Sequence, residues 1–500
     1  MASIAPSTRP LVNLKGGERQ GFQKALSLFR KAAQRVPAYK DFLKKHGVKP
    51  ALVKTKKDFA QLPLTDKPNY ISRYSLQELS WDGTLDSSTL MSTSSGSTGT
   101  PFFWPRGVRQ EAVVDAMFQR VFEEIFETKK GTTLFVDSFA LGTWIAGLEA
   151  YSAAKWTTSQ GNRMLIATPG IEKAEAVNQI KKLAPLFDKV VLAGYPPFVK
   201  DIVDQGAREG VRWKGFDTRL FLGGEAVSEL WKSRMLQRIG KSGDVRSIVN
   251  VYGMADAGVA AHETPLCALV RECVPKNPDA LSRLPPLDST AGLYQYYPSA
   301  RYFEVLEDKT LILTADAGLP LIRYDTRDTG GIVEADEVIA SLGGRLQKAT
   351  KRAHVNIDAW RLPFVYLYGR KDLSITFYAL NIYVEHIKRA LETSSREPVL
   401  SGLFIMEVQY DKALDQRLVI TVELGFGVEP SRELSNALVR DVSSTLSRVN
   451  SEYAKLSSTM GARALPQVRL VRYGEMETRR GRKHKWIKRK RVSRTRAGSR

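Results

Sequence analysis

Five hundred residues carry 75 Lys+Arg against 53 Asp+Glu, a formal net charge of +22, with 43% hydrophobic and 26% charged residues. The apolar and charged fractions are ordinary for a soluble globular chain, the net charge is not, and the length suffices for two or three domains with real cores. Two cysteines, Cys267 and Cys273, exclude a disulfide scaffold and fit a reducing compartment. The basic excess implies attraction to polyanions or acidic substrates and says nothing about fold. Residues 1–17 show no secretory apolar core, so a cytoplasmic location is expected. The most apolar stretch, Phe135 to Ala154, carries Asp137 and Glu149 and reads as a buried or pocket-lining segment rather than a membrane span.

In chain order, Phe22, Leu26, Phe29, Ala32 and Val36 recur at helical spacing over 18–46, interrupted at Pro37. Leu62 to Lys67 is a loop with an N-cap expected before Pro68. Thr93-Ser94-Ser95-Gly96-Ser97-Thr98-Gly99-Thr100-Pro101 combines small hydroxyl residues with glycines. Backbone N–H groups in such a loop approach an anion closely, and the hydroxyls add donors. The same composition also suits a flexible linker, and no Gly-Lys-Ser/Thr follows, so it is not a Walker loop.

Val108 to Phe126 reads as a helix, Gly131 to Phe139 and Arg163 to Thr168 as strands. A helix at 171–186, strands at 190–193 and 219–223, a helix from Ser228 and a strand at 247–252 follow. This alternation predicts a largely parallel α/β sheet. From Gly258 short strands are expected at 268–270, 301–305, 310–314 and 321–324, an antiparallel or barrel-like sub-domain. Strands at 402–408 and 418–424 and helices at 386–392 and 433–448 make an α+β region of domain size. The expected organisation is therefore α/β: a large N-terminal domain (1–369) with parallel sheets plus a barrel-like sub-domain, a small mobile α+β C-terminal domain (370–488), and a basic tail (489–500) expected to be disordered.

Four stretches fall at strand ends: Gly223-Gly224-Glu225, Tyr252-Gly253-Met254-Ala255-Asp256, Arg323 to Asp328, and Gly369-Arg370-Lys371-Asp372. In an α/β sheet ligands bind at the carboxyl ends of strands, so these and the hydroxyl loop converge on one crevice. Taken singly, Asp328 also reads as a turn residue, Asp256 as the cap of a helix from Ala257, Tyr252 as core, and Arg370 with Asp372 as a solvated pair.

In order and spacing these motifs resemble the adenylate-forming superfamily, and its phenylacetate-CoA ligase-like branch in particular. Residues 93–101 resemble the phosphate loop, Gly223-Gly224-Glu225 the Gly-Ala-Glu beside the adenine, and Tyr252 to Asp256 the Tyr-Gly-Leu-Ser-Glu. Arg323 to Asp328 resembles Arg-Tyr-Arg-Thr-Arg-Asp, and Gly369 to Asp372 with Leu380 to Tyr383 resembles Gly-Arg-x-Asp-Asp followed by Val-Asn-Val-Phe.

The resemblance implies that a carboxylate attacks the α-phosphate of Mg·ATP, giving an acyl-adenylate and pyrophosphate, and that a thiol, CoA first, then displaces AMP. It assigns phosphates to Ser94, Ser95, Gly96, Ser97, Thr98 and Gly99, adenine to Gly224, Glu225, Tyr252 and Gly253, ribose to Asp328, and Mg²⁺ to Asp256, a hard oxygen ligand. Arg370 reaches ribose or phosphate, and Lys483, with Lys485 next, supplies the late catalytic lysine. By the same resemblance the acid lies between Asp137–Trp144 and Gly194–Phe198, with Trp144 and Tyr195 as substrate-binding residues. It also implies that the C-terminal domain rotates about a hinge just after Gly369-Arg370.

Thr100 stands where the loop usually has lysine, and Ala379 replaces a glycine before Leu380, which leaves an amine or carrier-protein thiol open as acceptor. A basic nucleic-acid-binding protein retaining this fold is a further alternative, motivated by the charge and by the tail from Arg479. His262, Cys267 and Cys273 lack the spacing of a zinc site, and Cys267 is expected on a buried strand.

Overall fold

The computed structural model describes residues 14, 16–93, 102–274, 292–370, 373–378, 380–410, 416–476 and 486–487. The chain divides into two compact units, one ending at Tyr368 and one beginning at Gly369.

In the first unit the strands are β1 (Leu90–Thr93), β2 (Phe103–Arg106), β3 (Thr132–Ser138), β4 (Arg163–Ala167), β5 (Lys189–Gly194), β6 (Asp217–Gly223), β7 (Ile248–Met254), β8 (Gly258–His262), β9 (Gly292–Gln295), β10 (Tyr302–Val305), β11 (Thr310–Ala317) and β12 (Leu319–Val333). β13 (Phe364–Arg370) runs to the boundary. β1 and β2 form a hairpin. Among the described residues the other eleven make one sheet in the order β10-β11-β12-β13-β9-β8-β7-β6-β5-β3-β4. From β4 to β7 the pairing is parallel, and from β7 onward through β8 and β9 it is antiparallel. The parallel strands are joined by the helices Ile145–Ser159, Lys173–Leu183, Pro196–Arg208 and Glu229–Arg238. The antiparallel strands expected after Gly258 are thus hydrogen-bonded onto the same sheet.

One apolar core lies where the helix Val108–Arg120 and its π-turn Val121–Ile125 cover the parallel strands: Phe122 packs on Phe135 and Phe221. A second joins the helices Glu18–Arg35 and Pro37–Lys45 to β10–β12, through Phe22, Phe29, Phe59 and Tyr302. The break between those helices falls at Pro37, which takes the first helical position where its missing N–H costs nothing.

Two expectations are corrected, and one element is new. Ala268–Val270 is not a strand but part of the helix Pro265–Cys273, started by Pro265 and by the Thr264 hydroxyl, which accepts from the Cys267 N–H. No regular α-helix begins at Pro68; residues 67–70 are turns leading into a 3₁₀ turn at Ile71–Arg73. A helical segment Ala335–Arg352, absent from the expected set, is kinked at Gly343 (φ 48°), while its buried residues Val338, Leu342, Leu346 and Ala349 keep helical spacing across the kink.

The second unit contains a hairpin of β14 (Ser374–Phe377) and β15 (Leu380–Tyr383). A three-stranded sheet of β16 (Leu400–Tyr410), β17 (Gln416–Leu424) and β18 (Gln467–Val471) lies with the helices Val384–Thr393 and Arg432–Val449. No helix among the described residues is long and apolar enough to cross a membrane.

Candidate active site

The carboxyl ends of β5, β6 and β7 lie side by side, with Gly194 next to Leu222 and Gly223 next to Val251. Tyr195, one residue past β5, lies along Gly224: a Cβ there would stand 3.2 Å from the ring. The Tyr195 hydroxyl donates to Glu225 Oε2 at 2.6 Å. Asn250 on β7 donates from Nδ2 to the Glu225 carbonyl at 2.9 Å. The Gly223-Gly224-Glu225 turn is therefore fixed from both neighbouring strands, and the predicted acid-side residue Tyr195 touches the predicted nucleotide-side residue Glu225.

β12 carries Tyr324, Thr326 and Asp328 on its buried face, as the two-residue period of a strand requires. The Tyr252 hydroxyl donates to Asp328 Oδ2 at 2.5 Å. The Tyr252 ring is stacked on Phe303 (6.3 Å, 25°) and tilted against Tyr294 (5.9 Å). Tyr252 thus positions Asp328 through its hydroxyl while its ring belongs to the core.

Asp256 sits in the tight connection between β7 and β8; a strand, not a helix, follows it, so the capping alternative falls. Its Oδ2 accepts from the Tyr324 hydroxyl, and its Oδ1 lies 3.1 Å from Lys67 Nζ. Burial and the Asp256 carboxylate push the Tyr324 phenol well above its usual range, so it stays a donor. Lys67 arrives on the loop 62–67, which Thr65 seals to β12: its N–H donates to the Arg323 carbonyl and its carbonyl accepts from the Asp325 N–H. The Thr65 hydroxyl donates to the Ile322 carbonyl at 2.9 Å.

Two buried arginines hold the turn that carries Asp256. Arg106 Nη2 donates to the Ala255 carbonyl at 2.7 Å. Arg301 donates from Nε to the Val259 carbonyl at 2.7 Å and from Nη2 to the Ala257 carbonyl at 3.3 Å. Between them lies the buried Glu149, 3.8 Å from Arg106 Nε. Burial raises its carboxyl while both arginines oppose the rise. Gly258 (φ 68°) is required here: a Cβ would fall 2.3 Å from Glu149 Oε1.

On the acid side, Asp137 is the penultimate residue of β3 and fully buried. Its Oδ1 accepts from the Phe139 N–H at 3.1 Å, its Oδ2 has no hydrogen-bond partner among the described residues, and burial pushes the carboxyl up to about 8. Trp144 is half-buried and precedes the helix Ile145–Ser159. Next to it, Thr143 accepts from the Thr93 N–H and meets its hydroxyl at 3.1 Å, so the last described residue before the hydroxyl loop is anchored beside Trp144. Phe139 lies under Gly223 and against Phe221, and Phe198 is equally buried, so both are core residues.

His262 Nδ1 lies 2.8 Å from the Glu263 carbonyl, which only accepts, so this nitrogen carries the proton. Nε2 is then free to accept from the Tyr297 hydroxyl at 2.8 Å. Burial pulls the imidazole down to about 4 and pushes the Cys267 thiol up to about 12. No group of three potential metal ligands occurs among the described residues. Ser94, Ser95, Gly96, Ser97, Thr98, Gly99 and Lys483 lie outside the described residues, and Arg370 is the last residue of β13. Gly253 lies on β7 against the Gly258 carbonyl.

No protein-family profile matches the sequence, and no curated protein matches it. Solved structures do. A 2-hydroxyisobutyryl-CoA ligase in the postadenylation state in complex with R3-HIB-AMP matches with a TM-score of 0.68 at 14% identity, over 95% of this chain and 90% of that one. The same ligase in complex with 2-HIB-AMP gives 0.64 at 15%, over 95% and 90%. In the thioesterification state, with 2-HIB-AMP and CoA, it gives 0.52 at 15%, over 94% and 89%. The chain has the fold of the adenylate-forming enzymes.

Within the adenylate-forming fold of this chain, Lys67, Arg106, Glu149 and Arg301 escaped the sequence reading. Arg106 and Arg301 serve carbonyls, which leave no side-chain pattern in a sequence. The one available signal for Glu149 was a carboxylate inside an apolar run.

Proposed function

We propose that this protein activates a carboxylic acid with ATP as an acyl-adenylate and then transfers the acyl group to a thiol, CoA first. The observation that carries the reading is the pair of gripped carboxylates on one face: Asp328 held by Tyr252, and Asp256 held by Tyr324 and Lys67, at the end of β7 in a chain of this fold. Adenylyl transfer needs positioning and charge stabilisation rather than covalent help from the protein. Asp328 is oriented to accept from both ribose hydroxyls. The 223–225 turn, fixed by Tyr195 and Asn250, forms a wall for the adenine, and Tyr195 with Trp144 borders the acid. Asp256 fits Mg²⁺, which takes one or two carboxylates together with substrate phosphates, and the ion would neutralise phosphate charge there.

In the first step a carboxylate oxygen bonds to the α-phosphorus as pyrophosphate leaves. In the second the thiol sulfur bonds to the acyl carbon, AMP leaves, and the thiol proton goes to solvent. We assign phosphate contacts to the 94–99 loop and to Arg370, and charge compensation at the α-phosphate to Lys483. A hinge after Gly369-Arg370 would let the second unit, a mobile domain of residues 370–488, serve both steps. The unit boundary at Gly369 supports it. The two buried cysteines, neither in a disulfide, support a cytoplasmic location.

Carboxylate-dependent exchange of labelled pyrophosphate into ATP across a panel of acids tests the function. Exchange with at least one acid is expected; its absence, in folded protein that fails to bind ATP, refutes the reading. Comparing CoA with hydroxylamine as acceptor separates thiol from amine transfer. The +22 charge favours a second contact, with a polyanion through the tail: RNA binding lost on deleting 489–500 while exchange persists would establish it.

A further inference from the structure

Asp256 is the residue assigned to Mg²⁺, yet its Oδ1 is paired with a cation that belongs to the chain. Lys67 Nζ lies 3.1 Å from that oxygen, while the other oxygen takes the Tyr324 hydroxyl. The Lys67 side chain is 37% exposed and that of Asp256 12%, so the ammonium sits on the solvent side of the carboxylate, where an incoming anion meets it first. Its base is fixed, because Thr65 bonds to β12 on both sides of Tyr324. Its tip can swing: among the described residues the remaining contact is the face of Trp104, with Nζ 5.6 Å from the ring centroid. A ring face holds a cation without dictating which anion it meets. The neighbouring sequence makes this lysine matter, since no Lys or Arg lies between Arg73 and Arg106.

We infer that Lys67 is a resident counter-ion for Asp256 that moves onto the phosphate chain of the nucleotide when Mg·ATP arrives, releasing Asp256 to the metal. An isolated buried carboxylate is costly, so the chain supplies Asp256 with a cation of its own. When a divalent ion takes over Asp256, the ammonium is repelled by it and attracted to the phosphate oxygens beside it. No bond is made or broken; one ion pair is exchanged for two. The inference rests on the reading of the site as an ATP site.

The experiment uses the full chain with Lys67→Met, which keeps length and removes charge, and Lys67→Arg, which keeps charge. Mn²⁺ alone, followed by water-proton relaxation, probes Asp256 without nucleotide; titration calorimetry follows Mg·ATP and adenosine. Because the competing cation is gone, Lys67→Met is expected to bind Mn²⁺ at least threefold more tightly. It should bind Mg·ATP about tenfold more weakly, the loss of one charged contact. Adenosine affinity should stay within about twofold, and Lys67→Arg should retain Mg·ATP affinity within about threefold. A purely structural lysine would not move the two affinities in opposite directions. Unchanged Mn²⁺ or unchanged Mg·ATP affinity in Lys67→Met overturns the inference while leaving the function standing. Wild-type protein that binds Mg·ATP, with this Lys67 dependence, but catalyses no exchange would refute the function and leave the inference. Wild-type protein that binds no ATP overturns both.

Discussion

Tyr252→Phe removes one oxygen and nothing else. The ring keeps its packing on Phe303 and Tyr294, so no cavity forms, and the whole effect falls on the hydroxyl that donates to Asp328 at 2.5 Å. Asp328 is buried, so the lost bond is a charged one in a poorly solvated place, worth about 1.5–3 kcal/mol. Part of that should appear as stability, read as an earlier urea midpoint. Part should appear in ATP binding, because a carboxylate that swings off its rotamer no longer presents both oxygens to the ribose. We expect the KM for ATP in pyrophosphate exchange to rise about tenfold, equivalent to about 1.4 kcal/mol, with kcat little changed. Tyr324→Phe is the matched control. It acts on Asp256, so it should raise the Mg²⁺ concentration needed for exchange and leave the ATP KM at saturating Mg²⁺ nearly unchanged. If Tyr252→Phe leaves both the urea midpoint and the ATP KM at wild-type values, Asp328 is oriented by something else and the reasoning fails. If the two variants give the same kinetic signature, the two carboxylates do not have separate roles.

Arg106→Met should cost about 3–5 kcal/mol in urea unfolding, because it strands the buried Glu149 and the Ala255 carbonyl; adding Glu149→Leu should recover much of the loss, and no recovery would mean the pair is not coupled. Asp137 has a folded-state value raised to about 8, so between about pH 4 and 8 the native state holds a proton that the unfolded chain has released, and stability falls as pH rises through that window. Asp137→Asn should flatten that fall, by up to about 1.4 kcal/mol per pH unit relative to wild type in urea titrations, and an unchanged slope refutes it. Trp144→Ala should change the preferred acid more than the ATP KM; equal loss with every acid in the panel counts against its placement. Asp372→Pro or Lys371→Pro should spare exchange and slow acyl transfer from preformed adenylate, whereas Lys483→Ala should do the reverse; equal slowing of both steps by the proline variants means the hinge is misplaced.

Much of the fold was written in local periodicity. The apolar spacing from Phe22 to Val36 is the helix Glu18–Arg35, and Pro37 marks its end because the chain there has no N–H to continue with. β3, β5, β6 and β7 read as continuous apolar runs because both faces are buried between helices. The order of glycine, tyrosine and carboxylate motifs along the strands also pointed to the right fold. Where local signals were short or mixed, they failed. Ala268-Leu269-Val270 is apolar in either a strand or a helix, and the Thr264 cap with Pro265 decided for the helix. Ala335–Arg352 keeps its apolar spacing from Val338 to Ala349, but the Gly343-Gly344 pair in its middle reads as a break.

Only the tertiary structure decided what each side chain of the site is for. Tyr252 meets Asp328 76 residues further on, and Tyr324 reaches back 68 residues to Asp256. His262 resembles a ligand in sequence and is spent on Glu263 and Tyr297 in space. Lys67 lies between two prolines with no pattern around it, and becomes the partner of Asp256 because Thr65 happens to dock on β12. Periodicity records which face of an element is buried, since burial acts on every third or second residue. An ion pair or hydrogen bond between distant segments acts on two atoms alone, and those two atoms are neighbours only once the sheet has brought their strands together.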